Sequence, residues 1–199
     1  MDRFFAGTSL QLTCDLLGVD LGEVFKETGI PLNEDRITNT AFSADELAAI
    51  YKSMTGKYGR DDFHLRVGEE HVGHIYGTGE IAFVVSKTVG EALERLCEIK
   101  GWAEPMDWRL LKSEASMAIE LRQRYHESPC NALLETASFI YVVKALSFHL
   151  RRPVVPKAVQ LSYSVPHLER VEKALGCPVT IGAHSALTLD LTLAEQPLE

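Results

Sequence analysis

Apolar residues recur every three to four positions through the first hundred residues of this chain and at every second position through much of the rest, so helices are predicted first and strands after them. Leu10–Leu17 and Leu21–Thr28 read as two short helices, the second closed by Gly29 and Pro31, and together they predict a helical hairpin. Ser43 with Glu46 three residues later makes a capping box ahead of Leu47, Ala48, Ile50, Tyr51 and Met54, which predicts a third helix ending near Gly56. A short helix over 61–72 follows. The run from Gly73 to Gly79 carries too much glycine for regular structure and reads as a loop. Residues 80–86 read as helical, and Thr88 with Glu91 caps a further helix bearing Ala92, Leu93, Leu96 and Ile99 and stopping near Gly101.

From Trp108 the period is two. Met117, Ile119 and Leu121 alternate with Ser116, Ala118, Glu120 and Arg122, and Lys112-Ser-Glu114 turns the chain back from the Trp108 strand, which predicts a β-hairpin. Asn131 opens a long helix to about Leu150 whose apolar residues point in nearly every direction, the pattern of a buried helix. Pro153 and Pro156 end it. Val159, Leu161, Tyr163 and Val165 then alternate with polar residues, a short helix over 166–175 leads to a strand at Val179–Ile181, and Leu187, Leu189, Leu191 and Leu193 predict a last strand. Each strand has one apolar and one polar face, as required when a largely antiparallel sheet carries helices on one side and water on the other. The expected fold class is α+β, a helical N-terminal half packed on one face of a mostly antiparallel four- to five-stranded sheet. No repeat, low-complexity segment or linker divides the chain, so 1–199 reads as one domain, with a helical subdomain over about 1–104 and a sheet-containing part over about 105–199.

Composition adds limits. A chain of 199 residues, 46% hydrophobic and 24% charged, can bury a core without staples, which excludes disordered, fibrous and disulfide-scaffold classes. Twenty Lys and Arg against 28 Asp and Glu leave a formal charge of -8, which repels a phosphate backbone, so this chain by itself is not expected to grip DNA. Cys14, Cys97, Cys130 and Cys177 lie far apart without a CxxC, the pattern of reduced thiols in a cytoplasmic protein. The first residues lack the apolar core of a signal peptide, and no stretch reaches 18 uncharged apolar residues, so no membrane span is expected.

Candidate chemistry is sparse. His71 and His74 stand three apart, near His64, Glu69 and Glu70. The pair lacks the glutamate and third ligand of an HExxH site, and Gly73 interrupts the helix, so the pair reads as solvated or helix-terminal and no metal ligand is assigned. A small metal-dependent enzyme using His64, His71 and His74 is kept as an alternative. Gly77-Thr-Gly79 precedes a helix, where phosphate can bind, but it has neither the third glycine nor the lysine of the phosphate-binding motifs, and Glu80 brings negative charge, so it reads as a helix-opening turn. There is no GxSxG and no cysteine in a catalytic setting. No catalytic residue and no cofactor are assigned, and the chain reads as a non-enzyme. Glu135 interrupts the apolar helix near its start and either meets a pocket or supports the helix dipole from a solvated first turn. Phe83, Trp102, Trp108, Tyr141 and Phe148 are candidates to line an apolar cavity between helices and sheet, with plain core packing as the other reading.

Four segments taken in order carry a resemblance: LLGVDLGEVFKETGIP (16–31), TGKYGRDDFHLRVGE (55–69), SKTVGEALERLCEIKGW (86–102) and VQLSYSVPHLERVEKALGCPVTIGAHSALTLDLTLAEQPL (159–198). Their most specific positions are Gly176-Cys-Pro-Val179 with Gly182, Ala186-Leu187 and Pro197-Leu198; Asp61, Phe63, Leu65 and Gly68; and Thr88, Glu91, Ala92 and Leu93. Together they resemble the N-terminal effector-binding and dimerisation domain of AraC-type transcriptional regulators, in the arabinose-binding-like subgroup. The resemblance implies a ligand-sensing, homodimeric module of a bacterial activator, with a small molecule held between the helices and the sheet. It also implies DNA binding only through a C-terminal helix-turn-helix domain that such regulators carry and this chain lacks, and no membrane partner. Effectors in the family include fatty acids, amines, amino-acid derivatives, sugars and nucleotides. Here the acidic balance and Glu135 lean toward an amine, whereas Arg109, Arg122 and Arg124 favour an anion. A ligand-free dimerisation scaffold is the remaining alternative.

Overall fold

The computed structural model describes residues 3–31, 37, 40–57, 62–70, 72, 78–124 and 129–198. Six helices come first: α1 (Gly7–Leu17), α2 (Leu21–Thr28), α3 (Ala44–Lys57), α4 (Phe63–Glu70), α5 (Thr78–Val84) and α6 (Val89–Ala103). The hairpin β1 (Met106–Lys112) and β2 (Ser116–Gln123) follows, then α7 (Pro129–His149), β3 (Ala158–Leu161), α8 (Leu168–Leu175), β4 (Val179–Ile181) and β5 (Ser185–Asp190).

The two capping boxes act where they were read, whereas Asn131, read as opening the long helix, lies inside α7, which starts at Pro129. The Ser43 backbone N–H donates to Glu46 Oε2 at 2.6 Å while Glu46 N–H donates to Ser43 Oγ at 3.2 Å, so both arms of the capping box are made. Thr88 accepts from Glu91 N–H at 3.3 Å in the same way. Gly18 and Gly29 close α1 and α2 in the left-handed region, at φ 65° and 70°, where a side chain would be strained. Helix α1 begins earlier than its apolar spacing indicated, at Gly7. Helix α5 begins at Thr78, which puts Gly79 inside the helix and not in a preceding turn.

The sheet runs in the order β1-β2-β5-β3-β4, antiparallel throughout except for the parallel pair β3–β4. Trp108 stands opposite Leu121, and Ile119 opposite Leu187, so one face is continuous and apolar. Two predicted strands are cut short. Strand β3 ends at Leu161, and Tyr163 and Val165 lie beyond it. Leu191 and Leu193 leave the last strand for a 3-10 turn, because Asp190 accepts from Thr192 N–H at 2.9 Å and bends the chain.

Two apolar clusters make the core. One packs α5, α6 and α7 against the sheet, with Phe83, Leu93, Ile119, Phe139, Ile140 and Leu187 among its members. The other is helical and holds Phe4, Leu10, Phe25, Phe42, Leu47 and Phe63. They meet where α4 crosses α7, a crossing close enough that a Cβ on Gly68 would lie 2.7 Å from the Ala137 carbonyl oxygen. Helix α7 is buried nearly all round, which explains its lack of an apolar stripe. No helix among the described residues is long and apolar enough to cross a membrane.

Candidate functional site

A cavity of about 270 Å³ opens between α1, α3, α4, the end of α6, the hairpin and α7. Its floor and walls include Phe63 and Val67 from α4, Met106 and Gln123 from the hairpin, and Leu134, Ala137, Ser138 and Tyr141 from α7. Ala44, Ala48 and Ala49 of α3 line it with little bulk, and Asp45 and Lys52 stand exposed at its rim. Ligand pockets usually enclose roughly 300 to 1,000 Å³ and are mainly apolar with a few placed polar groups, so this one suits a compact molecule.

Its polar groups are held by buried partners. Tyr141 donates its hydroxyl to Glu80 Oε2 at 3.1 Å, and His149 Nε2 lies 2.8 Å from Glu80 Oε1. All three are buried, and Phe83 stacks on the His149 ring at 5.3 Å and 6°. Burial, and then the Glu80 charge, push the Tyr141 phenol well above its ordinary range, so it remains a neutral hydroxyl. The Gln123 amide donates to Glu135 Oε1 at 2.9 Å, while Ser162 Oγ and Ser185 Oγ donate to Glu135 Oε2 at 2.7 and 2.5 Å. Glu135 therefore fixes α7 to β2, to β5 and to the turn after β3, and it is 2% exposed, not solvated in a first turn.

A third group sits where α6 enters β1. Lys100 Nζ donates to Glu104 Oε1 at 2.6 Å, Trp108 Nε1 donates to Glu104 Oε2 at 3.1 Å, and Lys100 lies 5.8 Å from the Trp108 ring centre. Lys100 and Glu104 line the cavity, and the two charges neutralise one another there. Burial raises the Tyr51 phenol, with Glu104 as the next cause.

The six residues singled out in the sequence part company. Tyr141 lines the cavity. Glu135, Phe83 and Trp108 are buried and do not line it; Glu135 bonds Gln123 and Trp108 bonds Glu104, both on its wall, while Phe83 stacks on His149. Trp102 and Phe148 are 69% and 59% exposed and do not line it, because each sits in the last turn of its helix on the side turned from the core. Arg109, Arg122 and Arg124 pair with Asp107 and Glu120 on the hairpin and are absent from the cavity wall. Gln123, Glu80, His149 and the Lys100–Glu104 pair were not found from sequence; only the placing of Glu80 one residue from apolar Ile81 and three from Phe83 hinted at a buried carboxylate.

His64 is fully buried and neither ring nitrogen makes a hydrogen bond of good geometry. Burial lowers it to about 4, only partly offset by the Pro166 backbone. His71 and His74 lie outside the described residues, and among the described residues no group of three His, Cys, Asp or Glu is placed to hold a metal. Cys14 and Cys97 are buried free thiols pushed up to about 12 chiefly by burial, which leaves them unreactive.

The sequence model described as the arabinose-binding domain of AraC transcription regulators, N-terminal, matches residues 18–198. A comparison with curated proteins finds no significant match. Among solved structures, the fold is similar to that of the transcriptional regulator CdpR from Pseudomonas aeruginosa, with a TM-score of 0.50 at 14% identity. The match covers 95% of this chain and 56% of that one, so this chain spans little more than half the length of its structural relative.

Proposed function

Since the chain belongs to the family of N-terminal arabinose-binding domains of AraC transcription regulators, we propose that it senses a small-molecule effector in the cavity between α3, α4, α7 and the hairpin. The observation that carries this reading is the cavity itself: apolar walls with Tyr141, Gln123 and the Lys100–Glu104 pair set in them, each held by a buried partner. Such a site is prepared in advance, so a ligand need not order it.

Effector binding shifts the domain between two arrangements to the extent that its affinity for them differs. The route out of the cavity runs through Tyr141 and Glu80 to α5 and to His149 at the end of α7. Those same elements expose Ile81, Val84 and Phe148, with Val85 just beyond α5. A homodimer formed across this apolar surface would feel the state of the cavity, and a C-terminal DNA-binding domain in the full regulator would receive the signal, with activation as its sense and the cytoplasm as its place. The acidic charge of this part leaves DNA contact to such a domain.

Melting the protein against fatty acids, amines, amino acids, sugars and nucleotides tests the reading, because a ligand that binds only the folded state raises its melting temperature. A rise with one chemical class supports an effector site. A flat response across the panel, with the protein dimeric, supports a ligand-free scaffold instead.

A further inference from the structure

Helix α6 joins the cavity to the last described residues of the chain. At its C-terminal end Lys100 and Glu104 line the cavity, paired at 2.6 Å. Glu104 also closes the helix, its N–H donating to the Lys100 carbonyl at 2.9 Å, and its carboxylate accepts from the Trp108 indole at the start of β1. What enters the cavity therefore packs against the last turn of α6 and its joint with the sheet.

At the other end the helix holds residues 194–198. The first N–H groups of any helix lack a partner within it. Here Val89 N–H donates to the Gln196 carbonyl at 3.0 Å, Gly90 N–H to the Ala194 carbonyl at 2.9 Å and Glu91 N–H to Thr88 Oγ1 at 3.3 Å. Leu198 N–H donates in turn to the Lys87 carbonyl at 3.1 Å, and Thr88 bridges Pro197. The two segments approach so closely that a Cβ on Gly90 would lie 3.1 Å from the Ala194 carbonyl oxygen. Between the two ends Ala92, Leu93 and Leu96 are fully buried, with α5 and β1 packed against the helix. The helix is about 22 Å long, and it moves as one body because a close-packed core does not let it deform piecemeal.

We infer that α6 is the link by which an occupied cavity acts on residues 194–198: a change at the Lys100–Glu104 turn alters the hold of Val89 and Gly90 on Gln196 and Ala194. A C-terminal DNA-binding domain of the kind proposed above would be joined beyond those residues, whereas the Tyr141–Glu80 bond leads to the apolar face of α5. This role rests on the cavity being the effector site, but the linkage is measured without a ligand, so the two can fail separately.

Hydrogen exchange followed by NMR on the intact protein reads both ends. Lys100→Met removes the ion pair and leaves Glu104 charged. Exchange at the Val89 and Gly90 amides then quickens roughly fivefold or more, the lower end of ordinary coupling between sites, while Leu187 and Leu189 in the central strand β5 keep wild-type rates. Lys112→Met breaks an exposed ion pair on the same helix, the contact with Glu94, and leaves Val89 and Gly90 as they were. The linkage also runs backwards: Gly90→Ala, which presses on Ala194, quickens exchange of the Trp108 indole proton, roughly fivefold again. Wild-type rates at Val89 and Gly90 in Lys100→Met overturn the proposal. So does a rise no larger than that at Leu187 and Leu189, which reports a general loss of stability, or an equal rise in Lys112→Met. If Lys100→Met does not fold, Gly90→Ala decides alone, and an unchanged Trp108 indole overturns the proposal.

Discussion

The Tyr141 hydroxyl lies 3.1 Å from Glu80 Oε2 and donates to it, joining the middle of the buried helix α7 to the first turn of α5, 61 residues away in sequence. Because His149 shares the same carboxylate, Glu80→Ala leaves two buried groups without an acceptor and costs about 2–4 kcal/mol in urea unfolding. Tyr141→Phe costs less in that background than in the wild type, since the partner is already gone. Strictly additive losses would show that the two residues are not coupled.

Glu135 accepts from Gln123, Ser162 and Ser185, and its two near-isosteric and truncating substitutions separate charge from space. Glu135→Ala strands three donors and is expected to cost about 2–4 kcal/mol. Glu135→Gln keeps one oxygen for the two hydroxyls and costs about 1–2 kcal/mol, leaving the domain folded but with Gln123 released and effector binding weakened. Equal losses of stability for the two variants in denaturant titrations would remove the hydrogen-bonding role.

His64 sets an acid limit. Its folded value is lowered from 6.5 to about 4 by burial, so above pH 6.5 the ring is neutral in both states and contributes no pH dependence. As pH falls below 6.5 the unfolded chain takes up a proton that the folded one refuses until about pH 4, and stability drops by roughly 2–3 kcal/mol across that window. His64→Gln should flatten the stability profile between those limits relative to the wild type. An unchanged slope would mean that other groups set the acid limb.

On the outer side of α5, Val84 is 61% exposed and Phe148 at the end of α7 is 59% exposed. If this surface joins two copies, Val84→Glu places a charge in the interface and shifts the protein to the monomer in sedimentation analysis, with its melting curve otherwise intact. A dimer that survives the substitution lies elsewhere on the molecule.

Capping boxes, glycine stops and the change of period from 3.6 to 2 made most of the elements legible, because each is a local signal that tertiary packing here reinforces. The 3-10 turn at Leu191 was hidden, since four alternating leucines look the same whether or not Asp190 bends the backbone. The parallel pairing of β3 with β4 was also hidden, because it depends on which strands meet and not on any one strand's pattern. Among site residues, Glu135 stood out as a charged group within an apolar helix and Tyr141 as an aromatic ring suited to a cavity wall, and both prove to be buried and bonded. Gln123 and Lys100 did not stand out, for at the end of a strand and in the last turn of a helix polar residues are ordinary. Trp102 and Phe148 misled for the opposite reason: an aromatic ring suggests burial until the helix face it occupies is known.

Titration of the amine, fatty acid or other compound that most raises the melting temperature, into the wild type and Ala49→Phe in parallel, tests the sensing role most directly. The expected result is saturable binding at one site per chain in the wild type and none in Ala49→Phe, whose added ring occupies the cavity beside Tyr141 and Gln123. Equal binding by both proteins would place the effector outside this cavity and overturn its sensing role.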